Sequence, residues 1–219
     1  MMKIKFLGGA GTVTGSKYLL SINNSKILVD CGLFQGVKNL REKNWQPFPV
    51  DIASIDAVVL THAHIDHSGY IPALTKLGFS GPVYCSSATF DLCKVLLPDS
   101  GYLQEEDARY ANYKKFSKHT PALPLYTEDD ARQSLASFEV IEFDQSIEIL
   151  AGIEIVMTPV GHILGACAVK VTANGRSITF SGDIGRQHDL VMYPPKPLSE
   201  TDYLVVESTY GDRNHRSMK

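Results

Sequence analysis

The sequence predicts a layered α+β sandwich with strands in the middle and helices outside. Three features of the 219 residues predict it. Short runs rich in Ile, Leu and Val occupy both ends of the chain, and helical patterns are gathered between them. The regular strand–helix alternation of a doubly wound sheet is absent. At 44% hydrophobic, the chain has enough apolar surface for one sizeable core.

Taken in order, Lys3–Leu7, Lys17–Ile22 and Lys26–Asp30 read as strands separated by Gly or Asn turns. Ala57–Thr61 is the continuous apolar run of a buried strand. From His67 to Leu77 the pattern turns helical, with Pro72 tolerable near the first turn. Pro82–Cys85 is a strand. Ser87–Leu97 and Gln104–Phe116 read as two helices, the second carrying Glu105 and Arg109 four residues apart. Thr127-Glu128-Asp129-Asp130 caps another helix running through Ala131–Ser137. Strands return at Glu139–Phe143, Ser146–Leu150, Ile153–Thr158, Ala166–Thr172, Ser177–Phe180 and Tyr203–Glu207. Only twelve, mainly polar, residues follow the last of these, so the chain reads as cut.

Charge and composition narrow the function. A net charge of −3 lacks the global basic field of many nucleic-acid binders, so a phosphate-bearing substrate would have to be held by local charge. No run approaches the ~20 apolar residues of a membrane span, and the N-terminal apolar run is too short for a signal peptide. Cys31, Cys85, Cys93 and Cys167 form no CxxC pair and read as reduced thiols of a cytoplasmic protein.

The chemistry lies in His62-Ala63-His64-Ile65-Asp66-His67, which puts four ligand types into six residues directly after a buried strand. Alternation in extended chain points His62 and His64 to one side, and the following turn can bring Asp66 and His67 to the same pocket. Chance placement of three histidines in this spacing is about 3 in 100,000 per window, under about 1% over the chain. Imidazole with carboxylate suits zinc and tolerates manganese.

Two more candidate ligands, His162 and Asp183, each follow a strand and are flanked by glycine, so strand-end loops can converge on them. Six ligands exceed what one tetrahedral zinc uses, so two Zn2+ ions are expected, with Asp183 able to bridge a pair about 3.5–4 Å apart. A water between two such ions would be hydroxide near neutral pH, which supplies a nucleophile without a nucleophilic side chain. Asp30, at the end of the third strand, is expected to hold a ligand histidine in place.

These residues resemble the metallo-β-lactamase superfamily, whose signature HxHxDH is His62 to His67 here. Gly8 to Gly15, Asp30 to Gly36 and especially Glu207-Ser208-Thr209-Tyr210-Gly211-Asp212 resemble its β-CASP branch of RNA-processing nucleases. The resemblance implies an αββα sandwich, with residues 1–207 as the N-terminal portion of the metallo-β-lactamase domain. Residues 208–219 would begin the connection to a β-CASP domain. It assigns His62, His64 and His162 to one zinc, Asp66 and His67 to the other, and Asp183 to the bridge. Glu207 would support a general-acid histidine. That histidine, a last zinc ligand and the β-CASP insert would lie beyond Lys219, so this stretch alone is expected to be weakly active or inactive.

The expected activity is zinc-dependent cleavage of RNA, with Asp66, Asp30 and Glu207 in the catalytic machinery. Hydrolysis of a small thioester, lactone or lactam is the runner-up, and a non-catalytic scaffold the third reading. RNA is the expected partner and no membrane is expected; a homodimer is left open. The glycine loop lacks the Gly-Lys-[Ser/Thr] ending and the GxGxxG spacing of nucleotide sites. His119, His188 and His215 read as surface histidines, Pro194–Pro197 as a loop, and Tyr110 to Lys118 as a solvated helix face.

Overall fold

The computed structural model describes residues 1–213. One sheet is built from β1 (Met2–Gly8), β2 (Lys17–Ile22) and β3 (Ser25–Val29). After a short α1 (Lys38–Arg41) it adds β4 (Ala57–Val59), and after α2 (Ile65–Ser68) and α3 (Ile71–Lys76) it adds β5 (Val83–Cys85). The chain then forms α4 (Ser87–Lys114) and α5 (Glu128–Ser134) before β6 (Phe138–Val140) closes the six-stranded order β1-β2-β3-β4-β5-β6. The second sheet holds β7 (Ile147–Leu150), β8 (Ile153–Pro159), β9 (Cys167–Ala173), β10 (Arg176–Phe180) and β11 (Tyr203–Val205), ordered β11-β10-β9-β8-β7.

The layers follow from alternation along each strand. In β2 and β3, Leu20, Ile22, Ile27 and Val29 face the second sheet, where Ile155, Met157, Val169, Val171 and Phe180 meet them. Leu19, Leu28 and Val58 face the other way, onto Ile71, Leu74, Cys93 and Leu97 of the helices. Among the described residues these helices lie on the first sheet. The outer side of the second carries residues 196–200, where Lys170 Nζ donates to Ser199 Oγ (3.2 Å) and Lys196 N to the Pro159 carbonyl (3.1 Å). All four cysteines are buried free thiols. No helix of the described residues is long and apolar enough to cross a membrane.

Direction is what positions the site. β3 and β4 run parallel, and β10 and β11 run parallel. β8 and β10 are both antiparallel to β9, so they share a direction. Hydrogen bonds from Cys167 N and Cys167 Sγ to the Thr61 carbonyl (3.0 and 3.3 Å) tie the two sheets together at the end of β4.

Two expectations change. The two helices read at Ser87–Leu97 and Gln104–Phe116 are one helix of 28 residues that runs through Pro98. The returning chain ties down its second half: Gln104 and Glu105 accept from Leu125 N and Glu128 N (3.2 and 2.9 Å), and Asn112 bonds Ala122 in both directions (2.9 and 2.7 Å). Those tertiary bonds outweigh the one helical bond a proline removes. With Glu105 so engaged, Arg109 pairs with Glu106 instead. The helix read from His67 to Leu77 begins earlier, at Ile65, and breaks at Gly69-Tyr70 into α2 and α3, with Pro72 in the first turn of the latter.

Candidate metal centre

Asp30 follows β3, Thr61 to His67 follow β4, His162 follows β8, and Asp183 follows β10. Asp30 takes a left-handed backbone (φ 56°), a conformation that costs a non-glycine residue about 1–3 kcal/mol and persists only where neighbours hold it. Gly182, also at φ 56°, makes the turn into Asp183, where a side chain would press on Thr61.

Four donors converge: His62, His64, His162 and Asp183 offer ligand atoms that all lie within 4.8 Å of one another. His64 Nδ1 is 3.1 Å from His62 Nε2 and 3.2 Å from His162 Nε2. Asp183 Oδ2 is 3.8 Å from His62 Nε2 and 3.5 Å from His162 Nε2. A zinc ion with ligands at about 2.0–2.1 Å sets tetrahedral neighbours about 3.3 Å apart, so the spacing and the chemistry of this donor set fit one. The other carboxylate oxygen, Asp183 Oδ1, lies 3.3 Å from His67 Nε2, and Asp66 Oδ2 lies 3.9 Å from that same nitrogen. Asp183 therefore faces two donor groups at once.

Behind them, Asp30 is buried and fully engaged. Its Oδ1 accepts from Thr61 N (2.8 Å), and its Oδ2 takes Thr61 Oγ1 (2.9 Å) and His67 Nδ1 (2.8 Å). The Thr61 hydroxyl also meets His62 Nδ1 at 3.0 Å. When it donates to Asp30 and accepts from His62, it leaves His62 Nε2 as the lone pair facing the cluster. Thr61 was not among the sequence-predicted site residues; its only signal is its place between the strand and the first histidine.

Electrostatics separates the histidines. Burial, then the neighbouring His67, pushes the His62 pKa well below its ordinary value, and burial with His162 lowers that of His64. Burial also opposes charge on His67, but the carboxylates of Asp30 and Asp183 prevail and raise it to about 10. Burial works against the Asp183 charge too, yet His67 and the other histidines hold its carboxyl well below the usual range. The site thus keeps His62 and His64 as neutral imidazoles beside a committed carboxylate, while His67 holds its proton between Asp30 and Asp183 and must release it for a cation to bind its Nε2.

Glu207 sits after β11, where its Oε1 accepts from Ile184 N (2.7 Å) while its own N–H donates to Ser181 Oγ (3.0 Å). It thereby braces the turn that carries Asp183. His119 and His188 are exposed and stand outside the cluster; His215 lies outside the described residues.

Residues 10–212 match the metallo-beta-lactamase superfamily. The chain is similar to Ribonuclease TTHA0252 of Thermus thermophilus, 34% identical over 98% of this chain and 45% of that protein. It is similar to cleavage and polyadenylation specificity factor 73 of Drosophila melanogaster, 30% identical over 98% of this chain and 30% of that protein. It thus spans less than half the length of these curated relatives. A metallo-beta-lactamase of Cronobacter sakazakii with a HARLDQ motif shares the fold, with a TM-score of 0.53 and 21% identity over 87% of this chain and 62% of that one.

Proposed function

This chain belongs to the metallo-β-lactamase superfamily, and on that premise we propose that it is a metal-dependent RNA phosphodiesterase in which Asp183 would serve both of two zinc sites. The observation that carries the reading is the opposed aim of the two Asp183 oxygens, Oδ2 toward His62 and His162 and Oδ1 toward His67. His62, His64 and His162 would hold one ion, and Asp66 and His67 the other. Bound there, such a pair of cations acidifies water and offsets negative charge at an attacked phosphorus, and manganese supplies the same chemistry.

The protein's own residues set up that site. Asp30 fixes His67 by its Nδ1 and, through Thr61, fixes His62, so both rings present Nε2. His64, His162 and Asp183 are half-buried, on the side open to substrate. Glu207 keeps the Asp183 turn in place. The substrate class draws its support from relatives named as a ribonuclease and a cleavage factor.

The test combines metal analysis with hydrolysis assays on the full-length protein. Two zincs per chain and cleavage of labelled single-stranded RNA are expected, with both lost in His64→Ala. Two zincs with lactam or thioester hydrolysis and intact RNA would replace RNA by a small substrate. A protein that binds no zinc would remove the chemistry altogether.

A further inference from the structure

Lys17, the first residue of β2, is 4% exposed. Lysine is seldom buried without a charged partner. Here Nζ donates to the Gly32 carbonyl and lies 4.6 Å from the Phe34 ring centroid and 4.9 Å from that of Tyr70. No carboxylate forms an ion pair with it among the described residues. A methionine would fill such a slot without the desolvation penalty of an ammonium but could not donate to the Gly32 carbonyl, so that hydrogen bond is what the lysine supplies here.

What Lys17 grips is the template for half of the metal centre. Three successive carbonyls of the ligand segment are bound by the adjoining backbone: Ile65 by Leu33 N (2.9 Å), Asp66 by Ser16 N (2.9 Å) and His67 by Cys31 N (2.7 Å). Gly32 stands at the centre of this grid. Its N–H donates to Ser16 O (3.0 Å), its carbonyl is the one Lys17 binds, and its Cα packs so closely on the Asp66 carbonyl that any Cβ would overlap it. His62, His64 and His162 lie outside the grid.

We infer that Lys17 is a positioning residue: through Gly32 it holds the Asp66–His67 segment in register and so sets the affinity of that half of the centre alone. The inference rests on the two-metal reading only for its effect on zinc. Lys17→Met is expected to weaken the second zinc at least tenfold in a chelator competition while changing the first less than twofold. In the metal-free full-length protein, the amides of Ser16, Cys31 and Leu33 should exchange at least tenfold faster, with β9 and β10 unchanged. Lys17→Gln, which keeps an N–H donor, should restore slow exchange, and Lys17→Leu, which lacks the donor as methionine does, serves as the reporter should the methionine variant fail to fold. Unchanged exchange at those three amides overturns the inference, and so does uniform acceleration through all strands, which would mark a merely structural lysine. Wild-type protein that binds one zinc would sink the two-metal reading, while the exchange data would still decide the role of Lys17.

Discussion

Asp30 concentrates three hydrogen bonds on one buried carboxylate in a strained backbone conformation. Truncating it strands Thr61 N–H and leaves His67 with Asp183 alone as a charged partner. Removing one member of a buried, hydrogen-bonded ion pair costs roughly 3–5 kcal/mol. Asp30→Ala should lose that much in urea denaturation of the chelated protein, where zinc plays no part. A loss below about 1 kcal/mol would show that Thr61 and His67 find other partners. At this scale the sequence was informative about ligand types, because a motif of three histidines and an aspartate is a local property. It was silent about Thr61, whose role exists only because Asp30, 31 residues away, lies against it.

At the scale of elements, α5 begins with a reciprocal cap: Thr127 Oγ1 accepts from Asp130 N (3.1 Å) and Asp130 accepts from Thr127 N (2.8 Å). This was legible from the spacing of Thr127 and Asp130 alone. Thr127→Ala should cost about 1 kcal/mol, read from thermal or urea melts, with α5 still formed by circular dichroism. A neutral effect would mean that the Lys76–Asp130 ion pair (2.7 Å) and packing carry the helix start by themselves. The continuity of α4 was not legible. Leu97, Pro98 and Gly101 are buried in its middle, and Gly101 packs so tightly on the Thr127–Glu128 backbone that a Cβ would sit 2.6 Å from the Thr127 carbonyl. A break signal read locally was overruled by contacts with a segment about 25 residues downstream.

Over the whole molecule, the buried Lys17 links stability to pH. Burial lowers its pKa to about 8 from an unfolded value of 10.5, against a smaller opposing pull from Cys31. Between those values the unfolded chain binds a proton that the folded chain does not, so this group makes stability rise with pH across that window. The rise should be of the order of 3 kcal/mol in wild type relative to Lys17→Met, measured by denaturant titration from pH 7.5 to 10.5. Parallel curves for the two proteins would show that the ammonium is solvated in the folded state. The two-sheet core, joined by Phe180, Val171, Ile27 and Val29, carries the strand ends that the site needs on one edge.

By itself, the sequence determined the candidate ligands, their order along the chain and their placement just after strands, since period-two alternation and glycine-flanked turns are properties of a few neighbouring residues. It also determined the layered class, because the runs that must be buried on both faces are written as uninterrupted apolar segments. Only tertiary structure decided that His64 and His162, 98 positions apart, meet at 3.2 Å, and that the two oxygens of Asp183 divide between two donor groups. It also decided that a lysine is sealed behind the ligand segment. Such facts depend on how sheets are directed and stacked, and no local pattern encodes a direction shared by strands that never touch.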